Sequence, residues 1–133
     1  MTVLVDSNVI LDIVTNDPMW KPWSLGQLNA LAINGDLAIN DVVFAELAPG
    51  FDRFEELDRL VDEMDLILRP IPRAALYLAG RVHRRYRQQS GTKEGVLPDF
   101  FIGAQAAVED IALLTRDTRR YRTYFPTVEL ITP

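Results

Sequence analysis

The 133-residue sequence predicts a single α/β domain over residues 1–133, with a central, mainly parallel, twisted sheet and helices on both faces. Two observations predict it. Short apolar runs that read as strands alternate with helical segments along the whole chain. No internal repeat, low-complexity tract or linker divides it. A chain of this length can bury a substantial core, and 48% hydrophobic with 25% charged residues is the balance of an ordinary globular domain.

Taken in order, "TVLV" is β-branched and lacks polar alternation, so it reads as a short buried strand. Ser7 to about Thr15 is helical, with Val9, Ile10, Ile13 and Val14 on one side, and Asn16-Asp17-Pro18 ends it. A second helix runs from about Pro22 to Ile33 and stops at Asn34-Gly35. "DLAIN" is a strand, and "DVVFAELA" is a short helix closed by Pro49-Gly50. Residues 52–64 alternate charge with Phe54, Leu57, Leu60, Val61 and Met64, an amphipathic helix. "LILR" is a strand ended by Pro70, and a long helix follows from Pro72 to about Gln89. "QQSGTKEG" reads as a flexible loop. "PDFFIGAQAAVED" is a helix, "IALLT" a strand, "DTRRYRTYF" a last helix and "VELIT" a closing strand.

Composition narrows the function classes. The absence of cysteine excludes disulfides and thiolate metal sites and fits a reducing cytoplasm, the expected location. No apolar stretch approaches the roughly 20 residues that span a bilayer, and the start of the chain lacks the pattern of a signal peptide, so no membrane association is expected. With His83 the lone histidine, any metal site must rest on oxygen ligands, which favours magnesium or manganese over zinc. The net charge of −5 argues against a generic nucleic-acid coat, yet the charge is polarised. Residues 81–122 hold nine of the fourteen basic residues (Arg81, Arg84, Arg85, Arg87, Lys93, Arg116, Arg119, Arg120 and Arg122), whereas residues 36–65 hold ten of the nineteen acidic ones. Such a molecule can carry a local anion-binding surface, although any one arginine of an amphipathic helix can equally be a solvated surface charge.

Four carboxylates carry the chemistry. In a parallel sheet each helix begins at the carboxyl edge of the strands, where ligands bind. Asp6 follows the first strand directly, Asp117 follows "IALLT", Asp99 opens the helix leading into that strand, and Glu46 lies in the helix after "DLAIN". All four therefore belong to one edge whatever the strand order. Aspartate at a helix start is also a favoured cap worth about 1 kcal/mol, a bland role open to Asp6, Asp99 and Asp117. Glu46 is the only charge in "VVFAELA", and an unpaired carboxylate among apolar neighbours is costly, so something positive is expected to meet it. Clustered carboxylates repel one another unless a cation offsets them, and a divalent ion resolves both difficulties.

These motifs resemble the PIN-domain ribonucleases, specifically the VapC toxins of bacterial type II toxin–antitoxin systems. The likeness covers nearly the whole chain, through "VLVDSNVIL", "INDVVFAELAPG", "VLPDFFIGAQA" and "LLTRDTRRYRTYFPTVELITP". It implies a PIN-like fold and a Mg2+- or Mn2+-dependent endoribonuclease that leaves 5′-phosphate and 3′-hydroxyl ends. The family's four acids fall on Asp6, Glu46, Asp99 and Asp117, its hydroxyl-then-asparagine pair on Ser7 and Asn8, and its last hydroxyl on Thr115. Asp6, Asp99 and Asp117 are then metal ligands, directly or through water. Glu46 completes the shell or takes a proton from the attacking water, and Ser7, Asn8 and Thr115 orient the carboxylates. Arg81, Arg84, Arg85, Arg87, Arg116, Arg119 and Arg120 become candidate phosphate contacts. The partners implied are an RNA substrate, a cognate antitoxin whose tail occupies the acidic cleft, and a second copy in a homodimer. Asp41, where the family usually has serine or threonine, is expected to be a helix cap.

His83 is expected at the surface, Trp20 and Trp23 on the core, and Tyr121 and Tyr124 in ordinary helix packing rather than base stacking. A phosphoacceptor receiver would need a late lysine, and no lysine follows Lys93. A haloacid-dehalogenase-like phosphatase would need a second acid in "DSN". A non-catalytic RNA- or protein-binding module is the other alternative, and it predicts that metal is irrelevant.

Overall fold

The computed structural model describes residues 1–89 and 97–133; the loop expected in "QQSGTKEG", from residue 90 on, and Lys93 within it lie outside the described residues. In chain order the elements are β1 (Thr2–Val5), α1 (Ser7–Val14), α2 (Lys21–Asn34), β2 (Asp36–Ile39), α3 (Asp41–Leu47), a 3-10 turn (Ala48–Gly50), α4 (Phe54–Glu63), β3 (Leu66–Leu68), α5 (Arg73–Gln88), α6 (Leu97–Glu109), β4 (Ala112–Leu114), α7 (Arg119–Tyr124) and β5 (Leu130–Ile131). The strands pair in the order β3-β2-β1-β4-β5, and every pairing is parallel.

The expected alternation of strand and helix is therefore realised, with β1 at the centre. Val3, Leu4 and Val5 are all buried, as are Leu37, Ala38 and Ile39 of β2 and Ala112, Leu113 and Leu114 of β4. Consecutive buried residues in an extended strand mean that both faces of the sheet are covered. At the edge, β3 buries Leu66 but leaves Ile67 and Leu68 about half exposed. Helices α1, α4 and α6 are followed by Asn16, Asp65 and Asp110 in the left-handed region (φ 55°, 52° and 53°), where short polar side chains are the best tolerated after glycine. Among the described residues no helix is long and apolar enough to cross a membrane.

Two boundary expectations are corrected. Helix α7 begins at Arg119 rather than at Asp117, because Thr115-Arg116-Asp117 is held in a loop by side-chain bonds described below. The cap of α3 is Asn40, not Asp41: the Asn40 carbonyl oxygen accepts from Val43 N–H at 2.8 Å, and Asp41 is the exposed first residue of the helix. Asn40 also donates to the fully buried Gln105 of α6, whose amide donates in turn to the Arg69 and Pro70 carbonyls, so α6 is fastened to the ends of β2 and β3.

Rings set the position of α7 against α6 and α5. Phe100 contacts His83, Tyr86, Tyr124 and Phe125 with centroids 5.4–6.1 Å apart. Gly103 lets Phe125 lie directly on α6, for a Cβ there would stand 2.4 Å from the ring. Gly103→Ala should therefore cost about 1–3 kcal/mol of stability through overpacking, read as a lower urea midpoint, and an unchanged midpoint would show that the ring shifts freely.

Candidate active site

The chain runs outward from β1 through β2 to β3, then returns to the other side of β1 for β4 and β5. This reversal opens a crevice at the carboxyl ends of β1 and β4, the place where such sheets bind ligands. Asp6 is the first residue past β1, and its N–H donates to Leu114 O of β4 at 2.9 Å. Thr115 is the first residue past β4.

Asp6 is 3% exposed and accepts four hydrogen bonds. Its Oδ1 takes Ser7 N–H at 2.8 Å. Its Oδ2 takes the Thr115 hydroxyl at 2.8 Å, the Tyr121 hydroxyl at 3.0 Å and the Asn8 amide at 3.4 Å. Even so, burial raises its pKa above the ordinary carboxylate value, and nearby Asp117 adds to the rise. Tyr121, fully buried, is held well above the usual tyrosine range by burial and by the charge of Asp6, so it stays a proton donor to this carboxylate. The sequence pattern suggests only helix packing for Tyr121. Its one signal was position, four residues after Asp117 in the first turns of a helix entering the same edge.

Glu46 projects from α3 toward the same crevice. Burial raises its pKa, the Ser7 hydroxyl bond opposes this, and the charges of Asp6 and Asp99 reinforce it. Its partner is that hydroxyl, with Ser7 Oγ donating to Oε1 at 3.1 Å. The positive partner expected from sequence is not found: among the described residues Glu46 forms no ion pair. Asp99, the third residue of α6, has its pKa pushed up to about 6, first by burial and then by Asp6, with Arg120 opposing. Arg120 Nη1 donates to Asp99 Oδ2 and lies 4.0 Å from Asp117 Oδ2.

The charge of Asp117 acts on Asp6 and Asp99, that of Asp6 on Asp99 and Glu46, and that of Asp99 on Glu46, which links acids from four separate parts of the chain. Capping accounts for only one of them, since Asp6 alone caps a helix. Asp117 lies before α7 with its N–H donating to Thr115 Oγ1 at 3.0 Å, and Asp99 is paired with arginine. All four offer oxygen donors, the set suited to Mg2+ or Mn2+. Among the described residues no three of these side chains stand close enough to clasp one ion directly. That spacing still suits magnesium, which takes one or two carboxylates and keeps several waters.

Ser7, Asn8 and Thr115 link the acids. Ser7 joins Asp6 to Glu46, and Asn8 donates to both Asp6 and Thr115 Oγ1 while its carbonyl accepts from Arg116 N–H at 3.2 Å. The seven arginines named from sequence divide into two groups. Arg81, Arg84, Arg85, Arg87 and Arg119 are exposed, the first four on the end of α5 that packs by His83 and Tyr86 against Phe100, beside Asp99. Arg81, Arg84 and Arg85 line an open groove with Gln88, and the Arg85 guanidinium lies over the Tyr124 ring.

Arg116 and Arg120 face inward instead, each paired with a carboxylate. Arg116 pairs through two nitrogens with Asp12, both at 2.8 Å, and lies 4.9 Å from the Trp20 ring centroid. Asp12 is 2% exposed and also accepts from Ser24 Oγ at 2.6 Å. Neither Asp12 nor this clamp was visible in the sequence. Trp20 covers the clamp while Trp23 packs on the core. His83 is half-buried among rings rather than at the open surface.

A family model described as the PIN domain matches residues 3–126. Solved structures with the same fold include VapBC2 from Rickettsia felis bound to a promoter DNA fragment, at 20% identity, TM-score 0.75, covering 99% of this chain and 98% of that one. VapBC-1 from nontypeable Haemophilus influenzae follows at 16% identity and TM-score 0.71 over 99% and 98% of the two chains. A toxin–antitoxin complex from Klebsiella pneumoniae gives 20%, 0.71, and 98% and 97%. Comparison with curated proteins gives no match.

Proposed function

Because the chain belongs to the PIN domain family, we propose that it is a Mg2+- or Mn2+-dependent endoribonuclease, the toxin of a toxin–antitoxin pair, acting in the cytoplasm. One observation supports the reading: Asp6, Glu46 and Asp99, from separate parts of the chain, each have their pKa raised by burial and by acidic neighbours, Asp117 among them. The likeness to toxin–antitoxin complexes supports an antitoxin partner, and a homodimer is part of the same proposal. Residues 1–133 act as one catalytic unit.

Asp6, Asp99 and Asp117 hold the ion, directly or through water. Bound there, it would supply a hydroxide from water near neutral pH and neutralise charge on the phosphoryl oxygens. Tyr121, Thr115 and Ser7 keep Asp6 in one orientation. Glu46, held by Ser7 and free of any cation among the described residues, completes the shell or accepts the proton of the attacking water. The exposed arginines of α5 contact phosphates of the RNA strand beside the crevice. The products carry a 5′-phosphate and a 3′-hydroxyl.

Incubating the full chain with a transcript pool should give Mg2+-dependent cleavage that EDTA abolishes and added Mn2+ restores, with 5′-phosphate ends found on sequencing. Cleavage that survives EDTA would refute the metal-dependent reading. RNA binding without cleavage at any metal concentration would favour a binding module.

A further inference from the structure

We propose that Arg120 is a resident cation of the acidic site, standing between Asp99 and Asp117 until a divalent ion takes that place, so that ion loading requires Arg120 to withdraw from Asp99. The inference rests on the metal-dependent reading above and concerns how the same site is loaded.

Among the described residues Arg120 is the one cation paired with any of the four acids. Its Nη1 donates to Asp99 Oδ2 and reaches to 4.0 Å from Asp117 Oδ2, bridging two of the three assigned ligands. A guanidinium there and a dication on the same oxygens exclude each other by volume and by charge. Its side chain is 20% exposed, whereas the neighbouring Arg119 and Arg122 turn to solvent. The backbone beneath it is fixed, because the next residue, Tyr121, is fully buried and bonded to Asp6. The long arginine stem above that anchor is free to swing out through its own torsions. Arg116, the other inward-facing arginine, lacks this freedom, being clamped on both nitrogens by Asp12. Arg120 thus offsets the acids' repulsion in the metal-free protein and weakens apparent ion affinity by the same contact.

The test measures Mn2+ binding to the full chain without RNA, by titration calorimetry and by the electron paramagnetic resonance signal of free Mn2+. Arg120→Gln should bind Mn2+ about tenfold more tightly than the parent, a tenfold change being about 1.4 kcal/mol, and Arg120→Lys should stay near the parent. Equal affinity in all three chains, or weaker binding by the glutamine variant, would overturn the role of Arg120 and leave the metal-dependent reading standing. Absence of Mn2+ binding in every chain would remove both. Independently of any variant's folding, the Arg120 Nε resonance of the parent should move as Mg2+ is added, and a resonance that stays fixed at saturation would overturn the proposal.

Discussion

Asp99→Asn should slow single-turnover RNA cleavage by about a thousandfold while making the metal-free protein more stable at pH 7.5. The loss follows from the proposed metal-dependent mechanism, in which Asp99 is assigned as a ligand, an effect on the scale of several kcal/mol of transition-state stabilisation. The gain follows from the carboxyl's pKa, which burial first, and then Asp6, push from 3.8 to about 6 against the opposing pull of Arg120. Between those two values the folded protein holds a proton that the unfolded chain has released. Stability of the metal-free protein therefore falls as pH rises through that window, and the whole penalty is present above it. Burial shifts Asp6 and Glu46 in the same direction. Asparagine carries no charge to desolvate, so urea denaturation in EDTA should show it more stable than the parent by about 1–3 kcal/mol at pH 7.5. The difference should close toward pH 4. Parental cleavage rates in the variant would remove Asp99 from the site. A variant less stable than the parent would mean that the Arg120 pair outweighs the repulsion.

Asp12→Ala should lower the melting temperature by about 10 °C, a loss of about 3 kcal/mol, the cost of leaving one member of a buried ion pair alone. Asp12 takes two bonds from Arg116 and one from Ser24 while nearly sealed from water, so α1, α2 and the loop after β4 meet on this one carboxylate. Without it Arg116 is left half-buried beneath Trp20. The same loop carries Thr115 and Asp117, and Arg116 N–H bonds the Asn8 carbonyl, so cleavage should fall with stability. Adding Arg116→Met to the variant should recover part of the melting temperature by removing the stranded charge. A single variant melting within about 2 °C of the parent would show that the clamp contributes nothing to stability.

Local pattern carried much of this. The strands were legible as short aliphatic runs between turn signals, and the helices as amphipathic or punctuated segments, because periods of 2 and 3.6 are written in neighbouring residues. Misreadings fell where a distant partner overrode local preference. "DTRRY" reads as a helix start, yet the Thr115 hydroxyl, itself committed to Asp6, holds the Asp117 N–H and delays α7 to Arg119. Asp41 reads as a cap, but Asn40 one residue earlier fills that position and is fixed from behind by Gln105.

Alternating strand runs and helix starts are enough to predict the layered parallel architecture and one edge for Asp6, Glu46, Asp99 and Asp117, since strand ends and helix starts fix that edge under any strand order. Long-range packing sets the rest: β1 and β4 frame the crevice, Tyr121 bonds Asp6 across 115 residues, Arg116 meets Asp12 across 104, and Arg120 turns onto Asp99. These are pairings between side chains far apart along the chain, chosen by burial and by the need to satisfy charge out of water. No local periodicity records them.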